Sequence, residues 1–517
     1  MTADEVIRRL RSFEKGRPLP NGETLRIPRL DADQVLVLAF VKMGGESAPW
    51  GLSWGHPGKK AELLTVAEPR TRDDVAEMMA QFAPVLLKHL SHPQYSRFGP
   101  DPDARIPPFQ VWVLNQSHLE MLHHLAYSYT FTRFGDASRV TRLQALGRAC
   151  GWLFRESQRP GQLTVIAATR ALTETYTFPA ETTRQGHLGF LLAWLQTKGG
   201  RDARMQAAET AERLSIASNL DPKVEREELQ QYVEAYDEAR TKNDSGQIER
   251  ARKRIHKILG EELSRRIDLT VEALKAIAID KRRENGGLAV LVKESLTEHR
   301  LQYRRIEQRI DDKDDGPAFT PSPETDRYPA AAASRYYVHE ASQEQLETLL
   351  VHDDRELQAQ LVGSGQAISG VIREVRDEGE GRKKIPIWVV ESDGELPLRF
   401  REDSAVCVVG VPNRQLRIRS IEKTPEQKYR FELEVTQGKR ERNENGRTVP
   451  AAESKALNSQ RVVLVKPSMD QIARRKSYLI WKKDTPGAWL THEVPRVRDA
   501  ELPDDVGENL DQMRGTK

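Results

Sequence analysis

A stretch rich in proline and alanine, DKDDGPAFTPSPETDRYPAAAAS at 312–334, carries neither a helical nor a strand period and cuts the chain into two differently patterned parts. Before it, short apolar runs alternate with helical patterns and give way to almost unbroken helix. Beyond it, short strand-like segments follow one another at close spacing. A chain of 517 residues exceeds what one hydrophobic core serves, so several domains are expected. The linker at 312–334 is the clearest boundary.

In the first part, QVLVLAFVK (34–42) is rich in β-branched residues and bounded by DAD and Gly44, which predicts a buried strand. APWGLSWG and AELLTVA read as its antiparallel neighbours. TRDDVAEMMAQFAPVLLKHL (71–90) has a threonine cap, early acids and helical spacing, and FQVWVLN (109–115) is a further strand. SHLEMLHHLAYSYTF then begins a helix in which Ser117 and Glu120 have capping-box spacing, and more helices follow. Three strands, a helix, a fourth strand and further helices suit a ribonuclease-H-like α/β domain over residues 1–215.

Residues 216–311 are expected to form a stalk of long helices, with Ile248, Ala251, Ile255, Leu259 and Leu263 on one face and a turn at KNDSG. Heptad spacing is too short to require a coiled coil. After the linker, residues 335–483 contain AISGVIREV, KIPIWVVE, LPLRF, SAVCVVG, QLRIRSIEK, YRFELEVTQ and RVVLVK, a series that predicts a small β-barrel. An acidic tail occupies 484–517, with eight acids against two bases between Asp484 and Met513. The fold class is therefore α+β and multidomain.

Several chemistries are excluded by spacing. GLSWG (51–55) matches a nucleophile elbow around Ser53, but Gly-His-Pro-Gly follows where the helix carrying the oxyanion hole must start. HPGKK (56–60) lacks the glycine and the hydroxyl of a phosphate loop, and GSGQAISG (363–370) lacks the third glycine of a dinucleotide site. His118, Glu120, His123 and His124 do not have metalloprotease spacing. Cys150 and Cys407, the two cysteines, are too far apart in sequence to form a zinc or redox motif. No cofactor, metal site or catalytic residue is assigned. No apolar run approaches the ~18 residues of a membrane span, and MTADEVIRRLRSFEKG lacks the apolar core of a signal peptide, so the cytoplasm is expected.

Net charge is only +3, yet bases cluster: 11 Lys and Arg against 5 acids from Arg250 to Arg283, and 7 against 1 from Arg461 to Lys483. Basic residues that alternate with aromatics on strands point to phosphate contacts and base stacking. The residues assigned to nucleic acid are Arg414, Arg417, Arg419, Lys428, Arg430, Lys439, Arg440, Arg474, Arg475, Lys476 and Trp481.

This layout, with AISGVIREV…IPIWVVE, QLRIRSIEK and VWVLNQSHLEMLHHLA, resembles the region ahead of the motor in bacterial superfamily 1 helicases that carry a stalk and an inserted barrel. The resemblance implies a barrel beside a DNA or RNA path. No GxxxxGK[ST] follows it here, so a motor is expected on another polypeptide or not at all. The expectation is a non-catalytic nucleic-acid-binding scaffold for a helicase or nuclease partner, in bacterial defence or DNA processing. Its rivals are a metal-dependent nuclease, for which QVLVLAFVK supplies no carboxylate, and a scaffold that binds protein alone.

Overall fold

The computed structural model describes residues 3–44, 46–91, 109–284, 340, 343, 344, 346–379, 385–394, 397–437, 440–442, 448–450 and 459–467. The linker at 312–334, the acidic tail, Lys439, Arg474, Arg475, Lys476 and Trp481 lie outside the described residues. The sheet region and the barrel region belong to one compact unit.

The chain begins with helix α1 (Ala3–Glu14) and two short strands. Strand β1 (Leu19–Pro20) pairs with residues 176–177, and β2 (Thr24–Leu25) runs parallel to residues 283–284. Then come β3 (Val35–Lys42), β4 (Pro49–Gly55), β5 (Glu62–Thr65), α2 (Arg72–Leu90), β6 (Gln110–Val113), α3 (Gln116–Tyr129), α4 (Ala137–Ser157) and β7 (Val165–Ala167). The five strands form one sheet in the order β5-β4-β3-β6-β7. β3, β4 and β5 are antiparallel, whereas β6 and β7 run parallel to β3.

Residues 35–41 of β3 and all of β4 are buried, which requires cover on both faces of the sheet and explains why these segments read as continuous apolar runs. The strands expected at 34–42, in APWGLSWG, in AELLTVA and in FQVWVLN are all present. The fifth strand, β7, leaves no sequence signal, because three residues are too short to show alternation. Ser117 is not the helix cap either. Asn115 is the N-cap of α3, and the Ser117 hydroxyl donates to Asn115 Oδ1 at 2.8 Å while accepting from the Ser218 backbone N–H.

The chain continues through α5 (Ala168–Thr175), β8 (Tyr176–Thr177), α6 (Thr182–Gln185), α7 (Leu188–Gln196), α8 (Arg201–Glu212), α9 (Gln230–Thr241), α10 (Ser245–Ala278) and β9 (Arg283–Glu284). KNDSG does make the turn between α9 and α10. Asn243 takes the left-handed conformation there, and the Asp244 side chain caps α10 at Gln247 N–H. The stripe Ala251, Ile255, Leu259, Leu263 and Ile267 on α10 is buried in the same core as β3 and β4, so this long helix lies along the sheet as well as against α9.

Helix α11 (Arg355–Gly363) leads into the carboxy-terminal strands. These are β10 (Ala367–Glu378), β11 (Ile385–Ser392), β12 (Ala405–Val408), β13 (Val411–Lys423), β14 (Tyr429–Val435), β15 (Arg440–Arg442), β16 (Thr448–Pro450) and β17 (Arg461–Val465). Six of them close a barrel, β10-β11-β14-β13-β12-β17, and β15 and β16 pair separately. Closure leaves no free sheet edge. Ile368, Ile372, Trp388, Leu416, Ile418, Phe431 and Leu433 fill the interior.

LPLRF, expected as a strand, is not one: residues 397–400 are irregular and lie against Gly365. Gly365 has φ +76°, and a Cβ there would meet the Pro397 carbonyl oxygen at 2.4 Å, so GSG serves as a tight turn from helix to barrel. Two parts of the same compact unit are joined by side chains. Arg8 of α1 pairs with Asp354 and Glu356, and Thr24 Oγ1 donates to Asp353.

Candidate nucleic-acid interface

Alternation along β14 sends Phe431, Leu433 and Val435 inward and places Arg430, Glu432 and Glu434 outside. Register sets Arg417 of β13 opposite Glu434, and Glu432 opposite Ser420. The result is a lattice of opposite charges across β10, β13 and β14. Arg417 donates to Glu434 Oε2 at 2.9 Å and Arg419 Nε to the same oxygen at 3.1 Å. Arg419 also reaches Glu378 at 2.6 Å, and Arg376 bridges to Glu432 and Glu378.

On β11, Glu391 holds Arg373 at 2.9 Å and Lys428 at 3.5 Å. The hydrogen bond from Arg417 holds the Glu434 carboxyl below the usual carboxylate range, and those from Arg419 and Arg373 do the same for Glu378 and Glu391. The four arginines are in turn pushed above the ordinary guanidinium value, each chiefly by its hydrogen bond to a glutamate.

Of the residues assigned to nucleic acid from sequence, Arg417 and Arg419 are brought together on Glu434 and Lys428 sits apart on Glu391, so each has a carboxylate partner. Arg414 is buried, with its guanidinium 5.8 Å from the centre of the Trp388 ring. Arg430 is exposed, with no carboxylate at ion-pair distance among the described residues. Arg440 lies on β15. Glutamates at alternate positions of YRFELEV and REVRDE were present in the sequence, but the pairing register that sets them against arginines was not legible there.

A second basic surface lies on the first half of α10, where Arg250, Arg252, Lys253, Arg254 and Lys257 are all exposed within two turns. Glu249 is 3.6 Å from Arg252 and 3.9 Å from Lys253, and Glu261 is 3.9 Å from Lys257. Arg250 donates to the Gly246 carbonyl, and neither it nor Arg254 has a carboxylate at ion-pair distance among the described residues. These two sit four apart on one helix face, which concentrates uncompensated charge.

The groups that suggested catalysis are committed to structure. Ser53 is buried in the middle of β4 and donates to the Glu62 carbonyl at 2.7 Å. His118 is fully buried: its Nδ1 accepts the Phe40 N–H at 3.2 Å, so the proton is on Nε2, which faces the Ile216 carbonyl at 3.4 Å. Burial, reinforced by the nearby Arg266 charge, pushes its pKa down to about 3 and keeps the ring neutral. His123 stacks on Phe154 with ring centres 4.5 Å apart.

The Cys407 thiol is 3.9 Å from His352 Nε2, yet burial pushes its pKa up to about 11, the wrong direction for a nucleophile. Among the described residues, no cluster of three or more His, Cys, Asp or Glu side chains is arranged to hold a metal, and no helix is long and apolar enough to cross a membrane.

No protein-family model, curated protein or solved structure matches the chain.

Proposed function

We propose that the chain is a non-catalytic scaffold that binds nucleic acid through phosphates and works beside a helicase or nuclease. The sheet's strand order and directions support a ribonuclease-H-like reading: an antiparallel trio with its first strand central, followed by two strands parallel to it. A nuclease of that fold needs carboxylates on the central strand to hold two metal ions.

One observation carries the non-catalytic reading. At the carboxy-terminal half of β3, that neighbourhood is taken by apolar side chains, the neutral ring of His118 and the buried Arg266, whose partner Glu262 is held by both Arg265 and Arg266. A carboxylate already held by two guanidiniums offers no free ligand to a divalent ion.

Phosphate contact draws on cations that carboxylates do not already neutralise. Arg250 and Arg254 on α10 and Arg430 on the barrel meet that condition among the described residues, and RRKSYLIWKK extends the basic sequence. The paired Arg417, Arg419 and Lys428 would have to exchange a glutamate for a phosphate.

Single- and double-stranded DNA and RNA, incubated with the full chain and magnesium or manganese, test the reading. Retention at low salt without cleavage is the expected result. Cleavage would turn the reading to the nuclease, and no retention of any nucleic acid would turn it to a scaffold that binds protein alone.

A further inference from the structure

Arg26 lies just after β2 and lines a cavity of about 150 Å³ whose other walls include Ile166, Arg170, Glu174, Leu346 and Leu350. Its Nε is sealed from solvent without a hydrogen-bond partner, whereas its terminal nitrogens are not sealed. The nearby carboxylates are engaged elsewhere. Glu174 accepts from Arg170 Nε at 2.7 Å, Asp353 accepts from Thr24, and Asp354 pairs with Arg8 while capping α11.

Burial lowers the pKa of Arg26, and the charges of Glu174, Asp354 and Asp353 oppose that shift only from a distance. Arg26 is partly buried, and an enclosed Nε without an acceptor is costly, a cost that an anion placed against the guanidinium relieves. The cavity wall holds two guanidiniums against one carboxylate, so one further negative charge balances it. The remaining surface is mostly apolar, and Gln162 on the wall is engaged with the Val165 backbone. A cavity of about this volume holds a molecule the size of benzene.

We infer that this cavity binds a small carboxylate with an apolar body, its carboxylate on Arg26 and its hydrocarbon against Ile166, Leu346 and Leu350. The site has consequences for the joint between the two halves of the compact unit. Ile166 belongs to the sheet, whereas Leu346 and Leu350 belong to the helical residues 346–351 that precede α11 and the barrel. A bound carboxylate therefore ties the barrel's leading helix to the sheet.

The test is calorimetry and thermal melting of the full chain with benzoate and 3-methylbutanoate, against benzyl alcohol as the neutral analogue and inorganic phosphate as the anion without a hydrocarbon body. At least one carboxylate should bind with a Kd below about 1 mM and raise the melting temperature, while benzyl alcohol and phosphate bind at least about tenfold more weakly. Arg26→Met should remove the carboxylate response, and Leu350→Trp should remove it by filling the cavity with Arg26 left in place. If Arg26→Met does not fold, Leu350→Trp decides. The inference is overturned if neither carboxylate binds, if phosphate or benzyl alcohol binds as well, or if a folded variant keeps the response.

Discussion

Arg266 and Glu262 form a fully enclosed ion pair one turn apart on α10, at 2.8 Å, with side-chain exposures of 0% and 8%. Arg266 also donates to the carbonyls of Ala217 and Asn219, and Arg265 donates to that of Ser215, so the loop before α9 is fastened to the helix. That loop pairs with the end of β3, since the Lys42 N–H donates to the Ser218 carbonyl and the Leu220 N–H donates to the Lys42 carbonyl. Removing Glu262 alone leaves a buried positive charge. Glu262→Ala should cost about 3–5 kcal/mol in urea unfolding, and Glu262→Leu combined with Arg266→Met should cost clearly less. A double variant as unstable as the single one would contradict this.

His118 gives the fold an acid sensitivity with a definite sign. Its folded pKa of about 3 lies below the unfolded value of about 6.5, so the unfolded state takes up the proton first as pH falls. Its contribution is fully present above pH ~6.5 and is lost progressively down to pH ~3, by roughly 1.4 kcal/mol per unit. His118→Asn retains an acceptor near Phe40 and does not titrate. Its urea midpoint should fall less than the native one between pH 7 and pH 4.5.

Gly147 lets α3 and α4 approach closely, because a Cβ at this position would meet the Thr130 backbone nitrogen at 2.4 Å. Gly147→Ala should destabilise the sheet domain by about 1–3 kcal/mol despite its better helix propensity. An unchanged or raised urea midpoint would show that the two helices separate without cost.

Compensation on the barrel makes an unusual prediction for binding. Glu434→Gln leaves Arg417 and Arg419 without their shared carboxylate partner, so affinity for an oligonucleotide at low salt should rise while the urea midpoint changes little. Equal affinity would mean that this face takes no part.

Much of the fold was legible because local pattern and tertiary role coincide. β3 and β4 are covered on both faces, so burial wrote itself as VLVLAFVK and PWGLSWG. YRFELEV showed its barrel role through strict alternation. The misreadings arose where local pattern and tertiary role part. LPLRF alternates like a strand, but residues 397–400 are irregular and lie against Gly365. Ser117 has capping spacing, but Asn115 enters the helix first.

The basic surface was legible only as composition. Arg417 and Arg419 read as donors to phosphate, while the cross-strand register that gives them Glu434 and Glu378 is a property of the folded barrel. Arg266 stood in a basic run, and only the folded loop at 215–219 shows that it is buried.

The most direct test of the central claim is the slope of log affinity against log salt for a fluorescent single-stranded oligonucleotide, compared between the native chain and Arg250→Ala with Arg254→Ala. Binding through phosphates releases counterions, so native affinity should fall steeply with salt, and loss of two contacting cations should flatten the slope by about 1.4. Native binding whose slope is unchanged in the double variant would exclude the α10 face, and an absence of salt-dependent binding in the native chain would contradict the claim itself.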